Sequence, residues 1–530
     1  MQNEILKPVF DTDKVAVPRY DIVGPSGIVV RQNVELRLKN EIVQKGTPYD
    51  EESVLPASLR EQLALSPSAT PAEALAAIFK AAAIVVRVTA PGGSTIVATN
   101  GTQQITASES AGVWYFYIPT YGDWTFTATS GSDNKTREIT MSLLESKLYE
   151  ISIDYRNCWC VMWDSSNTST ELTRVKPQDD PLGLCNVTVP AEPVAGVGTS
   201  IGASPFDSYT PFNKMREWNV MNQAITSKRG DPAFSRGLDT VVFVPYFWYR
   251  VYQDGTKTYY YLADTAGMPG MQLHPGSGKC IGKYQTSSGY VSTTSSTPLV
   301  NVTREAARAG SRAKGTKWCQ NYFAVYSAVC WLYLIEFADW DSQARIGRGY
   351  VDGDRGDSGA INTGGCDAMT YHTGRAAGTD GKTAVQYRGI ENLWGNVWEW
   401  VDGANFQARA MYECHDPTKF ADDTVTGYTD VGLSLPDSSG YISKLGVSNE
   451  VPWAMPIPVE ATGSETTKIP DYVNSGTQNR VLITGGGWIS APNAGLFSFN
   501  AFFYSTGSAN DVGSRLCYLP TNAEIATMRA

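Results

Sequence analysis

The chain has 530 residues and 57.6 kDa, with 43 Lys+Arg against 53 Asp+Glu, a net charge of −10 and only 3 His. That balance argues against a broad basic face for nucleic acid or an anionic membrane, and three scattered imidazoles leave little room for histidine-cluster chemistry. Charged residues are only 18% while hydrophobics reach 42% and aromatics 11%, so a core can form under a surface rich in neutral polar and aromatic groups.

Residues 1–70 alternate short apolar pieces with Pro, Gly and charge, the pattern of an extended arm that docks on a partner. Thr70-Pro71-Ala72-Glu73 is a capping box with proline at the first helical position, and predicts a helix through Ala82. From Ile84 to about Leu143 the apolar period becomes two: Val86 and Val88, then Trp114, Phe116 and Ile118, then Trp124, Phe126 and Ala128. Gly92-Gly93, Asn100-Gly101 and Gly122-Asp123 punctuate these runs, which predicts a small antiparallel β-sandwich. Strands are expected over 241–252 and 258–262. Thr303 is placed to cap a helix that stops at Gly315. A second helix, from about Tyr322 to Phe337, is apolar nearly all round and is expected to be buried rather than to span a membrane. The remainder is long, Gly/Ser/Thr-rich loop, and such loops usually carry the function.

Nine cysteines, at 158, 160, 185, 280, 319, 330, 366, 414 and 517, are too sparse for a disulfide scaffold and lack zinc-knuckle spacing, so free buried thiols are expected. No signal peptide is visible at the N-terminus. Asp352, Asp354 and Asp357 lie close enough in sequence to raise calcium, but Gly356 breaks the EF-hand pattern, and a solvated loop is the simpler reading. No motif nominates a carboxylate pair for glycan hydrolysis.

The sharpest motif is Gly395-Asn396-Val397-Trp398-Glu399-Trp400, which reads as an aromatic core strand behind a tight turn. Gly485-Gly486-Gly487-Trp488 and Gly513-Ser514-Arg515-Leu516 follow it. Between the last two motifs, residues 488–511 are 24 positions with one charge (Asp511), six aromatics, and ten Ser, Asn, Gly or Tyr. That mixture suits a recognition surface, because rigid rings give contact area and small polar residues adapt hydrogen bonds. The candidate ligand-binding residues are Trp488, Ser490, Asn493, Ser498, Asn500, Phe503, Tyr504, Ser505, Asn510 and Asp511. Phe497, Phe499 and Phe502 have a competing role as inward-facing strand residues.

Together the three motifs resemble the formylglycine-generating-enzyme-like branch of the C-type lectin fold. Thr303-Arg304-Glu305-Ala306-Ala307-Arg308 with Trp318, residues 332–344, and Ser204-Pro205-Phe206-Asp207 are similar to the helical part of that domain in phage tail proteins and prophage proteins of gut bacteria. The terminal segment, including Ala494-Gly495-Leu496-Phe497, also resembles the variable region of targets of diversity-generating retroelements. The resemblance covers about 175–520 of the chain and is more specific for fold than for function.

It implies an α+β protein in three parts: an N-terminal tail-docking arm and short helix (1–83), an Ig-like sandwich spacer (84–144) and a C-type lectin domain (145–530). It further implies a virion tail-fibre or tail-tip receptor-binding protein, made in a bacterial cytoplasm. Such a protein would be a homotrimer, attached to phage tail proteins by its N-terminus, that binds a bacterial cell-surface protein or glycan. No nucleic acid, membrane insertion or cofactor is implied. Oxidase members of the family use two cysteines in the C-terminal segment, where this chain has only Cys517, so catalysis is not expected. The alternatives are a tail-associated glycan depolymerase or oxidase, and a purely structural tail component.

Overall fold

The structure is a computed structural model that describes residues 19–23, 29–35, 66, 68, 73, 84–131, 136–145, 147–354 and 359–530. Two short strands, β1 (Arg19–Val23) and β2 (Val29–Glu35), pair antiparallel. The rest of the docking arm and, Glu73 apart, the helix expected over 71–82 lie outside the described residues. The chain divides into two compact units, Met1–Tyr155 and Arg156–Ala530.

The first unit contains a seven-stranded sandwich: β3 (Ile84–Thr89), β4 (Thr95–Thr99), β5 (Gln104–Thr106), β6 (Val113–Ile118), β7 (Gly122–Thr129), β8 (Thr136–Leu143) and β9 (Leu148–Ser152). One sheet runs β6-β3-β9 and the other β5-β4-β7-β8. The alternating residues of both sheets bury Val86, Val88, Trp114, Phe116, Trp124 and Phe126 between them, as the period of two requires. Phe116 and Phe126 meet edge to face at 5.3 Å. The expected boundary at 144 is too early. β9 joins β3 as a parallel neighbour, with Val86 opposite Tyr149, and its Ile151 and the following Ile153 and Tyr155 complete the core.

The second unit is β-rich with few helices. Its strands include β10 (Cys158–Asp164), β11 (Glu217–Met221), β12 (Ala224–Lys228), β13 (Thr240–Val244), β14 (Trp248–Asp254), β15 (Lys257–Ala263), β16 (Lys279–Gln285) and β17 (Trp318–Gln320). Later in the chain come β18 (Trp398–Gln407), β19 (Ala410–Glu413), β20 (Thr429–Ser434), β21 (Gly440–Tyr441), β22 (Tyr472–Ser475), β23 (Arg480–Gly485), β24 (Gly495–Phe503) and β25 (Val512–Tyr518). A thirteen-stranded sheet follows the path β12-β11-β13-β16-β25-β18-β23-β24-β22-β21, with β17, β19 and β20 attached at its sides. β18 runs parallel to β25, and β22 parallel to β24. The strand expected over 241–252 is in fact two, β13 and β14. Pro245 follows the end of β13, where a residue without an N–H cannot continue the ladder.

Helix α1 (Arg304–Ala313) is capped by Thr303, whose hydroxyl accepts from the Ala306 N–H at 3.1 Å. Helix α2 (Phe323–Phe337) is buried at all of its positions, so it shows no amphipathic face. Two of its polar side chains reach carbonyls across the core: Tyr326 Oη donates to the Leu496 carbonyl at 2.6 Å and Trp331 Nε1 to the Trp453 carbonyl at 2.8 Å. At its C-terminal end Glu336 receives Arg388 through two bonds of 2.5 and 2.6 Å. No helix among the described residues is long and apolar enough to cross a membrane.

The first and last sequence motifs meet at one ion pair. β18 and β25 lie side by side, with Glu399 opposite Gly513, and Arg515 grips the Glu399 carboxylate at 2.5 and 2.9 Å. The remaining Arg515 donors reach the carbonyls of Gly282, Lys283, Glu391 and Asn392. Trp394, Trp398 and Trp400 are all buried. Asn396 sits at φ +67° in the preceding turn, and its side-chain amide donates to Gln285 and to the Ile361 carbonyl.

Candidate functional site

The segment singled out by its composition begins at the end of β23. Gly485 and Gly486 both have φ near +90°, and a Cβ on Gly485 would stand 2.6 Å from the Leu393 carbonyl oxygen, so this reversal requires glycine. It turns Trp488 inward against Tyr350 and Val397, and the Trp488 carbonyl accepts from Gly353 N–H at 2.7 Å. Ser490 Oγ accepts from the Gly487 N–H at 2.9 Å, and Asn493 sits half-buried in a short turn after it.

β24 then runs between β23 and β22 and is buried on both faces from Gly495 to Asn500 and on through Ala501. Phe497 packs on Trp340 at 4.9 Å and Tyr333 at 5.7 Å, and Phe499 on Phe406 at 5.9 Å. Beneath the strand, Asp471 accepts from Phe497 N–H at 2.7 Å. Its burial pushes the carboxyl well above its ordinary range, against the pull of the Phe497 and Ser498 amides.

At its end β24 leaves the core. Phe502 is 57% exposed and Tyr504 49% exposed, while Phe503 between them packs edge-on against Trp400 at 5.7 Å. Under the two exposed rings lies Arg480, the first residue of β23. Its guanidinium carbon is 3.7 Å from the Tyr504 ring centroid and 5.1 Å from that of Phe502. The Tyr504 hydroxyl donates to the Gln478 carboxamide. The turn that follows places Ser505 inside, Asn510 outside and Asp511 half-buried, with burial raising the Asp511 carboxyl.

The structure thus brings Phe503 and Tyr504 to one strand end and leaves Ser490, Asn493, Asn510 and Asp511 partly or fully accessible. Trp488, Ser498, Asn500 and Ser505 are instead buried. The two β24 residues among them are enclosed because a strand between two neighbours and covered on both faces has no outward side for alternation to reveal. Composition missed Phe502, Arg480 and the 42% exposed Ile489. The one available signal for Arg480 was its place directly after the polar run Ser475-Gly476-Thr477-Gln478-Asn479.

The other candidates resolve into pairings. Asp352 is held by Arg348 (Nη2–Oδ1 2.9 Å) and Asp354 lies 3.6 Å from Lys382; Asp357 lies outside the described residues. No group of three or more His, Cys, Asp or Glu side chains among the described residues is arranged to hold a metal. Cys517 has a thiol neighbour that its own segment does not contain: Cys319 of β17 stands directly opposite it. The hydrogen bond between them and their burial push the Cys319 thiol far up. A groove of about 430 Å³ lined by Val220, Asn222, Gln223, Asp239, Lys314 and Trp318 includes none of the ten expected residues.

No family model matches the chain, and no curated protein matches its sequence. Among solved structures, the chain is similar to Treponema denticola variable protein 1 at 12% identity and a TM-score of 0.25, over 55% of this chain and 100% of that one. It is likewise similar to PvdO from Pseudomonas aeruginosa at 12% identity and a TM-score of 0.24, over 54% of this chain and 97% of that one. At those scores neither likeness carries an argument about fold or function.

Proposed function

We propose that this chain is a receptor-binding protein of a virion tail, an adhesin that recognises a bacterial surface ligand without chemistry through a C-type-lectin-type second unit. The observation that carries the reading is the strand end at Phe502 and Tyr504. A strand buried along most of its length turns two large rings into solvent, where such rings act as contact anchors. A nearly uncharged turn of Ser, Thr, Gly and Asn surrounds them, which suits adaptable hydrogen bonding. The lectin-type assignment is supported by the junction of the two family-like motifs through Glu399 and Arg515. Placement on a tail, a trimeric assembly and diversification of 488–511 rest on the sequence resemblance. Avidity from several copies would offset weak single-site affinity.

An oxidase-like activity would draw on Cys319 and Cys517. Both are buried, and the raised Cys319 thiol is a poor nucleophile, which favours recognition over catalysis. The test is adsorption of the purified chain to candidate host bacteria, with the Phe502→Ala/Tyr504→Ala variant alongside. The variant is expected to lose at least about tenfold in cell binding, the scale of two anchor truncations, with an unchanged Tm. Binding equal to the parent would remove the surface assignment, and turnover of host capsule by the parent would replace this reading with the enzymatic one.

A further inference from the structure

The other buried arginines of the second unit each have a carboxylate partner. Arg515 makes six hydrogen bonds, and Arg388 is held by Glu336, Asp207 and the Phe212 carbonyl. Arg304 and Arg308 share Asp402 at 3.7 and 2.7 Å. Arg480 is the exception. It is only 7% exposed, yet Nε and Nη1 are enclosed without any partner, and no ion pair or hydrogen bond to its guanidinium is formed by the described residues. A buried cation without a counter-charge is strongly unfavourable. The faces of Tyr504 and Phe502 relieve this only in part. A purely structural role would be served better by an apolar side chain of the same length.

The surroundings restrict the anion. Residues 488–510 carry no charge, so the Arg480 guanidinium is the one charge this segment and its underlying strand end offer, which suits a singly charged carboxylate rather than a doubly charged phosphate. The two exposed rings offer faces for the C–H side of a sugar ring. Gln478 and the turn Ser505-Thr506-Gly507-Ser508 offer neutral partners for hydroxyls. We propose that Arg480, Phe502 and Tyr504 form a subsite for a uronic acid residue of an acidic surface polysaccharide. The carboxylate engages Nη2 with an adjacent guanidinium nitrogen as the Tyr504 ring moves aside, and the sugar ring lies on Phe502. This deepens the recognition reading above and rests on it for the biological setting only.

The test is calorimetric titration of the full chain with trigalacturonate and with its fully methyl-esterified, uncharged form. The acid is expected to bind saturably and the ester at least about tenfold more weakly, the loss that follows from one charge-assisted hydrogen bond. Arg480→Met is expected to lose the acid to the same extent while keeping or raising the Tm, because it removes an unpaired buried charge. Phe502→Ala supplies the second variant and is expected to weaken the acid and the ester alike, because it removes the face on which the sugar ring lies. Equal binding of acid and ester, binding by Arg480→Met at the parent level, or a marked fall in its Tm would each overturn the proposal. Tighter binding of hexaglutamate or inorganic phosphate than of trigalacturonate would do so as well. Cell adsorption separates the two readings. Equal adsorption by the parent and Arg480→Met overturns the uronate subsite and leaves recognition standing. A parent that binds trigalacturonate but no bacterial cell overturns the adhesin reading and leaves the subsite standing.

Discussion

Arg515→Leu tests whether one buried ion pair joins the two motif-bearing strands β18 and β25. The leucine would leave the Glu399 carboxylate, itself almost fully buried, with Gln285 Nε2 at 3.1 Å as its remaining partner. It would also strip donors from the carbonyls of Gly282, Lys283, Glu391 and Asn392. Removing one partner of a buried pair costs about 3–5 kcal/mol, and a stranded carbonyl adds roughly 1 kcal/mol or more where water cannot reach it. Because these groups share one site, the terms do not sum, and about 4 kcal/mol is the working figure. With an unfolding entropy of roughly 2.1 cal/mol/K per residue, the second unit (Arg156–Ala530) has about 0.8 kcal/mol/K, so its Tm should fall by about 5 °C in calorimetry. The double variant Arg515→Leu/Glu399→Leu removes the stranded charge and should recover part of that loss. A Tm drop below about 2 °C, or a double variant no better than the single, would refute the claim that the pair and its carbonyl cage hold these strands together.

Trp488→Ala should lower the stability of the second unit by about 3–5 kcal/mol, as expected for emptying a buried indole site. Calorimetry would show this as a Tm loss accompanying any binding loss, whereas reduced binding at an unchanged Tm would mean that Trp488 is a surface contact after all. Asp207 supplies a pH dependence. Burial alone would raise its carboxyl, but hydrogen bonds from His372 and Tyr371 and the Arg388 charge outweigh it and hold the pKa at about 2. A depressed carboxylate stabilises the fold above its unfolded pKa, and that contribution is lost as pH falls from about 4 towards 2. Asp207→Asn should therefore be less stable than the parent at neutral pH and show a flatter decline in urea midpoint across that window. Parallel acid limbs for the two proteins would show that Asp207 contributes nothing there.

How much of the molecule was legible in advance depended on the range of the interactions involved. The sandwich strands were readable because Trp114, Phe116, Trp124 and Phe126 face one core from one side of each strand. Helix α1 was readable because the Thr303 cap and Gly315 are local devices. The end of the sandwich was not, since β9 belongs to it only through its pairing with β3, far away in sequence. The break between β13 and β14 was signalled by Pro245 but masked by the aromatic run around it. Within the candidate site, residues 488–511 are legible as nearly uncharged and aromatic, yet their composition could not assign directions. β24 is covered on both faces, so Ser498 and Asn500 are enclosed beside Phe497 and Phe499, and exposure begins only at Phe502, where the strand has outrun β22 while still paired with β23.

Caps, turns and alternation act over a few residues, so the local elements and the chemical character of the terminal segment follow from the order of residues alone. Which side chains meet is a matter of long-range packing. It set Cys319 opposite Cys517, joined Glu399 to Arg515, and slid Arg480 beneath Phe502 and Tyr504 with no counter-ion among the described residues. Each of these depends on strands distant in the chain lying side by side, and whether a buried charge is satisfied is a property of that neighbourhood rather than of the residue.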